Sequence, residues 1–442
     1  MTQKKSVSYP IGLSLFVSGI FIFRFLYSLA NDFFANGDDV LQIYLIGLKA
    51  FTTHAHPYFG ADLVYNESQI PGSLQGYLVS AMWYLWKIPE APHILLNILL
   101  FLSLGFLAWF LSKRLPDVPK LLIVMYVYLL PWSMCYFTMI LNPAYMICGS
   151  ILFFAAIFEI YPSLKKNILP EWLCFFMMGF SIFWVMQLHM SWVLLGPFTA
   201  LAFYYLLMTK DPKRILKNLG VFLVGCVITA SFLVPTLLKF GLANEQGKSV
   251  SGMLEFHPEH AVNIINLLGK YLIYGCYDVA RFTGSGTEER VGFLKEFIWA
   301  APFTVYVTII GLAQAFFLLF SFFRKKGKDP MLRSLANMAV GGFAILFFMS
   351  LFSRLDPSAH SHAGILFFPL LVIFSIYAIR SLIKRKWVLR MLYASFGSAI
   401  IMYSALAMKN YDTVSLYKKR DVIVRALEQD NYKLVGLRRY KK

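Results

Sequence analysis

Long apolar runs dominate the chain, separated by short polar segments. A helix needs about 20 apolar residues to cross a bilayer core. Eleven stretches meet that length: 10–30, 91–112, 119–138, 143–161, 171–188, 190–209, 218–238, 298–323, 333–353, 361–380 and 388–408. The first is too long and too weakly bounded for a cleaved signal peptide, and no small-x-small site follows it, so it reads as a retained helix.

Segment 71–88 (PGSLQGYLVSAMWYLWKI) is ambiguous, because by hydropathy alone it could span as well. Charge decides, since cytoplasmic connections collect Lys and Arg. With 71–88 lying on the surface, alternate connections are basic. They contain Lys4/Lys5, Lys113/Arg114/Lys120, Lys165/Lys166, Lys210/Lys213/Arg214/Lys217, Arg324/Lys325/Lys326/Lys328/Arg333 and Arg380/Lys384/Arg385/Lys386/Arg390. The others are acidic or mixed, beginning with 31–70 and its Asp32, Asp38, Asp39, Asp62 and Glu67. Counting 71–88 as a span would invert every later connection. The expected fold is therefore an all-α polytopic membrane protein of about eleven transmembrane helices with a cytoplasmic N-terminus. Residues 1–408 form the membrane module, with outer loops 31–90, 239–297 and 354–360 and two juxtamembrane helices in the first of these. Residues 409–442 form a small outer C-terminal tail, although their ten Lys/Arg against four acids run against the charge rule. Within the tail, 422–428 reads as a helix and 432–437 as a strand.

Composition agrees with this expectation. Of 442 residues, 58% are hydrophobic, 17% aromatic and 14% charged, with mean hydropathy +0.62. A soluble domain carries about a quarter charged residues, so 14% cannot cover a globular surface. Five Cys are too few for a disulfide scaffold, and no disulfide is inferred. The net charge of +18 resembles a nucleic-acid footprint, but 21 of the 41 Lys and Arg lie in the alternate basic connections. The charge is topological, and no nucleic-acid partner is implied.

The first outer loop concentrates the candidate chemistry. It runs Asn36-Gly37-Asp38-Asp39, an apolar helix from Val40 to Phe51, His54-Ala55-His56-Pro57, a polar stretch, and then Pro71 opening the helix 71–88. Asp38 and Asp39 sit at the mouth of the first span. They are either helix-capping residues or an active-site carboxylate at the bilayer surface, acting as base or metal ligand. A cap needs one Asp and leaves the second over. His54 and His56 are further candidates in the same loop.

An acidic motif just after the first span, two juxtamembrane helices in the first outer loop, and a Pro opening the second resemble the GT-C superfamily. These are membrane glycosyltransferases using polyprenyl-phosphate sugars, such as the protein O-mannosyltransferase and aminoarabinose transferase families. The resemblance covers about the first 160 residues and 350–380. Where that family has Asp-Glu or Glu-x-Asp, this chain has Asp38-Asp39. The resemblance implies a polyprenyl-phosphate sugar as donor and a lipid, glycan or protein acceptor on the outer face. It also implies a donor phosphate near the loop Arg354-Leu355-Asp356-Pro357-Ser358-Ala359-His360-Ser361-His362, before the Pro369 span. Arg354 suits bidentate phosphate binding, and His360 and His362 can donate to it; an ordinary connector with Arg354 pairing Asp356 is the alternative.

Other candidates are more dispersed. Glu255-Phe256-His257-Pro258-Glu259-His260 is dense in metal-ligand types, but Pro258 breaks any i,i+4 pairing; a solvated loop before an amphipathic helix 259–280 explains it equally. Thr283-Gly284-Ser285-Gly286-Thr287 reads as a flexible lid without the strand–helix context of a phosphate-binding loop. Arg24, inside the first span, either snorkels to the interface or faces a lipid-phosphate pocket. Gln187 and His189 close the fifth span, with His189 either a satisfied interfacial group or a catalytic one. Glu159 is expected to be solvated beside Lys165 and Lys166, and Tyr126, Trp132, Trp192 and Tyr204 to form the interfacial aromatic belt. The sequence identifies no cofactor, and a divalent metal is compatible with the carboxylates. The expected location is a bacterial cytoplasmic (inner) membrane with the site facing outward. The rival expectations are a transporter or lipid-linked glycan flippase, and an outer-face glycan polymerase or ligase.

Overall fold

The computed structural model describes residues 8–30, 38–63, 68–241, 255–277, 279–323, 329–352, 361–411 and 415–435. Among these the chain is an all-α polytopic membrane protein with one small hairpin. The first helix, α1 (Ser8–Ala30), is followed by α2 (Asp38–Thr53), strands β1 (Phe59–Leu63) and β2 (Ser68–Pro71), and α3 (Leu74–Ser80). Next come α4 (Ala91–Arg114), α5 (Lys120–Leu129), α6 (Asn142–Ile160), α7 (Glu171–Met186), α8 (Gly196–Met208), α9 (Pro212–Ala230) and α10 (Val234–Phe240). The second half holds α11 (Ile264–Leu272), α12 (Thr287–Glu296), α13 (Ala301–Phe323), α14 (Pro330–Leu351), α15 (Phe368–Ile383), α16 (Lys386–Tyr411) and α17 (Ser415–Glu428).

Eight described helices are long and apolar enough to cross a bilayer: α1, α4, α6, α8 with its leading turn, α13, α14, α15 with its leading turn, and α16. A ninth is available if α9 and α10, bent by 65° at their junction, form one span. The shorter apolar helices α5 and α7 lie within the remaining two predicted stretches. Large apolar side chains point away from the bundle: Leu102, Val227, Phe316 and Phe348 are each more than 60% exposed. Water would penalise such a surface, whereas lipid tails would not. Helices α6 and α15 lie at the centre with nearly every side chain buried. Helices α7 and α9 pack through glycines, since a Cβ on Gly179 would lie 2.1 Å from the Phe222 carbonyl and one on Gly225 2.3 Å from that of Phe176. Small residues permit this backbone approach, where dispersion does the work that hydrophobicity cannot do in lipid.

Ion pairs and hydroxyls gather helix ends at one pole of the bundle. Arg114, ending α4, pairs with Glu159 near the end of α6 at 2.6 Å. Ser163, just beyond α6, bonds Ser334 of α14. Arg214 of α9 grips Glu171 at the start of α7, and Asp329, capping α14, pairs with Arg380 of α15. The expectation of a solvated Glu159 beside its Lys neighbours fails. Both it and Arg114 are 1% exposed, and its second oxygen accepts from the Lys166 and Ile168 backbone N–H groups. At the opposite pole the tail folds back on the first loop: Arg420 pairs with Glu90 at 2.9 Å and Lys87 with Asp430 at 3.1 Å.

Several other local expectations fail. Segment 71–88 contains only the seven-residue α3 and a 3₁₀ turn, Ala81–Tyr84; seven residues of α-helix extend about 10 Å, a third of a bilayer core. Strands β1 and β2 pair antiparallel with a bulge, Phe59 opposite Pro71 and Asp62 opposite Gln69, where the sequence suggests only a polar stretch. The described part of 259–280 is not one amphipathic helix but a 3₁₀ turn (Pro258–Asn263), α11 and a further 3₁₀ turn; Tyr271 of α11 donates to the Ala339 carbonyl. Segment 283–287 is no free lid: Glu289 accepts from Ser285 N–H, Arg290 donates to Gly284 O and Lys409 to Thr283 O. Tyr432–Val435 is a 3₁₀ turn rather than a strand. Tyr126 and Trp132 are fully buried in the core rather than in an interfacial belt, Tyr126 donating to the Gly275 carbonyl.

Candidate functional site

Two polar centres lie at the pole occupied by the first loop. The first forms where that loop meets the α9–α10 break. Pro235 lacks an N–H, so it cannot close the helical bond to Ser231, and the chain turns at 231–233. The loop supplies partners there: Ser73 donates its N–H and hydroxyl to the Phe232 carbonyl, and Thr236 donates to the Tyr58 carbonyl at 2.6 Å. Gly72, with φ +115°, sits where a Cβ would come within 2.4 Å of the Gln187 side chain. Gln187 in turn donates to the Phe183 and Thr229 carbonyls, tying α7 to α9.

On this junction stands an aromatic and cationic cluster. His56 shares a 2.7 Å hydrogen bond with the Tyr77 hydroxyl, and its ring meets Tyr58 edge-on at 4.6 Å. The Lys239 ammonium lies 4.2 Å over the Tyr58 ring, a cation–π contact. Partial burial, and then the Lys239 charge, hold the His56 pKa below its ordinary value. Neutral imidazole is thereby favoured at pH 7, beside a fixed positive charge.

The second centre forms where α5 ends early. Pro131 forces Leu130 into an extended conformation, φ −60° and ψ 144°, and the chain then coils through a five-residue π turn, Trp132–Tyr136, before α6. The last carbonyls of α5 need donors, which lipid cannot provide. Arg24 Nη1 donates to the Tyr128 carbonyl at 2.7 Å and to Ser133 Oγ at 3.1 Å, and the Tyr403 hydroxyl donates to the Leu129 carbonyl. A cation at a helix C-terminus also meets the negative end of its dipole. Arg24 is 1% exposed, so it does not snorkel. Its Nη2 is buried with no partner among the described residues. Beside it, Ser28 donates to the Thr138 carbonyl at 2.6 Å, so at the 3.0 Å contact His93 Nδ1 is the donor to Ser28 Oγ.

The sequence-derived candidates fall out unevenly. Asp38 and Asp39 form the first two positions of α2, where the helix dipole favours negative charge; only their backbone is described. Arg354 and His360 lie outside the described residues, and His362 is described by its backbone alone, in the helical turn Ser361–Gly364. His54 is exposed at the end of α2 with φ +52°. His189 caps the 3₁₀ turn Met190–Leu195, its Nδ1 accepting from Ser191 N–H, which is the satisfied role. Glu255 and His257 stand 3.8 Å apart at the end of α14. Sequence reasoning missed Lys239, Tyr77 and His93. For His93 the signal was present, because an ionisable residue inside an apolar run is a functional candidate.

A cavity of about 350 Å³ opens at the other pole, among Glu159, Lys165, Glu171, Tyr205 and Arg214, and holds none of the candidates. Comparison with protein-family models, curated proteins and solved structures yields no match to this chain.

Proposed function

We propose that the chain is a membrane glycosyltransferase of the GT-C kind. It moves a sugar from a polyprenyl-phosphate carrier to an acceptor on the outer face of the membrane. The observation that carries this reading is the first loop. Helix α2 opens on two adjacent carboxylates directly after α1, and the α2–hairpin–α3 unit docks on the α9–α10 break with a cationic, aromatic cluster alongside.

In this reading one of Asp38 and Asp39 takes the acceptor hydroxyl proton as the acceptor oxygen attacks the anomeric carbon. The bond from that carbon to the phosphate oxygen breaks, and the lipid phosphate leaves. Arg354, His360 and His362 hold the leaving phosphate, and Arg24 keeps Nη2 for an anion while Nη1 stays with the helix end. A divalent ion at the carboxylates is compatible with this scheme and is not required by it.

Eleven spans with a cytoplasmic N-terminus belong to the same proposal. The Arg114–Glu159 and Glu171–Arg214 pairs support it, since they join ends that meet only if α5 and α7 both cross. The Glu90–Arg420 pair supports a tail on the side of the first loop, as an odd number of crossings would give. The basic connections support an outward-facing first-loop pole.

The broken helices at 130–141 and 231–233 favour a second reading, a transporter or lipid-linked glycan flippase, because such proteins build sites at interrupted helices. One experiment separates the two. Purified protein is given a panel of labelled polyprenyl-phosphate sugars, first in detergent and then in sealed vesicles. Release of lipid phosphate in detergent supports transfer. Movement of intact donor across vesicles without release supports the transporter.

A further inference from the structure

We propose that the turn at His257–His260 binds one divalent transition-metal ion, zinc by its ligand chemistry, and that the ion pins residues 255–263 to the C-terminal end of α14. The inference is independent of the glycosyltransferase reading.

Pro258 opens a 3₁₀ turn, Pro258–Asn263, in place of an α-helix. At three residues per turn, side chains i and i+3 eclipse, so His257 and His260 fall on one face. Their rings lie 5.0 Å apart and 20° from parallel. Glu259 completes the set, and one ligand atom from each of the three residues lies within 4.8 Å of the others.

The hydrogen bonds around the two imidazoles prepare them for metal. His260 Nδ1 lies 2.9 Å from the Ser350 carbonyl. A carbonyl only accepts, so Nδ1 carries the proton and Nε2 keeps a lone pair. His257 has a carboxylate at each ring nitrogen: Glu259 Oε1 at 2.7 Å from Nδ1, and Glu255 Oε2 at 3.8 Å from Nε2. An ion shared by His257 Nδ1 and Glu259 leaves the proton on Nε2, with the Glu255 carboxylate 3.8 Å away as a nearby counter-charge rather than a hydrogen-bond acceptor. His260 then offers one nitrogen to the ion and the other to an oxygen acceptor, the arrangement that fixes tautomer and orientation in metal sites.

Two imidazoles and one carboxylate suit zinc and leave a fourth position open. The hard ions magnesium and calcium prefer all-oxygen sites. The location adds to the case. His257 N–H donates to the Leu351 carbonyl at 2.7 Å, so both His residues hold terminal carbonyls of α14, and a cation there meets the negative end of that helix.

The test uses the full-length, untagged protein in detergent, stripped with a chelator and dialysed against zinc. One bound equivalent per chain is expected. His257→Gln and His260→Gln should each weaken binding by at least about tenfold. Cobalt in place of zinc should give the intense visible bands of a low-coordinate site, and zinc should raise the apparent Tm of the wild type. Zinc binding that is unchanged in the His257→Gln/His260→Gln double variant would overturn the proposal. If that variant fails to fold, a wild type with neither cobalt bands nor a zinc-dependent Tm overturns it equally.

Discussion

Ser73 and Phe232, 159 residues apart, make a double contact: the Ser73 N–H at 3.1 Å and its hydroxyl at 2.7 Å both donate to the Phe232 carbonyl. The carbonyl belongs to the turn between α9 and α10, so the first loop is the hydrogen-bonding partner of a broken membrane helix. Gly72 makes the approach possible, because its positive φ and bare Cα lie against Gln187.

Gly72→Ala should therefore lower the apparent Tm, through backbone strain of about 1–3 kcal/mol together with the collision with Gln187. Gly397→Ala is the control: this exposed glycine in α16 has open space where a methyl group would be added, with nothing within 4 Å. Alanine is favoured over glycine in a helix by about 0.5–1 kcal/mol, so Tm should hold or rise. Equal behaviour of the two variants in a thermal melt would refute the junction.

Glu159→Gln leaves Arg114 buried without its counter-charge. Breaking a buried pair costs about 3–5 kcal/mol, so expression and melting temperature should fall sharply. Glu171→Gln removes a partly exposed pair, 27% and 43% accessible, and should cost no more than about 1 kcal/mol. Replacing both partners, Arg114→Met with Glu159→Leu, should recover most of the loss.

These two pairs also show where sequence reading reaches and where it stops. The eight long helices are legible because twenty apolar residues have few other uses, but the break at Leu130-Pro131 falls inside a stretch, 119–138, that reads as one span. Glu159 misleads because Lys165 and Lys166 are its neighbours in sequence, whereas its partner Arg114 is 45 residues away. Tyr126 and Trp132 carry the same mixed apolar–polar signature whether they line an interface or a core, and only tertiary contacts separate the two. The first loop announces its carboxylates and histidines but not Lys239, which looks like any lysine at a span end until Tyr58 is found beneath it.

Sidedness is checked by single-Cys labelling after replacement of the five native cysteines, all of them buried. Probes replacing Lys87 and Asp430 should react with an impermeant reagent in intact cells. Probes replacing Lys113, Lys165 and Lys213 should react only after the membrane is opened. Outside labelling at Lys165 together with protection at Lys113 would mean that α5 does not cross.

Asn caps a helix as well as Asp does, so Asp38→Asn and Asp39→Asn should leave folding intact. If one carboxylate is the base, its variant should lose at least about a hundredfold in turnover with an unchanged melt. Normal turnover in both variants would remove the mechanism and favour transport.

His56 carries a pH signature. Its folded pKa lies below the unfolded value, so the unfolded chain takes up its proton first as pH falls. The contribution is complete above the unfolded value of about 6.5 and declines below it. His56→Gln should flatten the fall in apparent Tm between pH 7 and 5, and Lys239→Met should reduce it in part. An identical pH profile in wild type and both variants would count against the Lys239–His56 coupling.

The pairing of the tail with the first loop sets an order of assembly. Arg420 reaches Glu90 across 330 residues, and Asp430 meets Lys87 across 343. Chains grow at about 5–20 residues per second, so roughly 15–70 s pass between synthesis of Glu90 and arrival of its partner. Through that interval α2 waits without the helix that packs beside it, and every intervening segment must be inserted first. Helix α17, made long after the first loop, is its latch, so a chain stopped short at residue 411 would be threaded but unfastened.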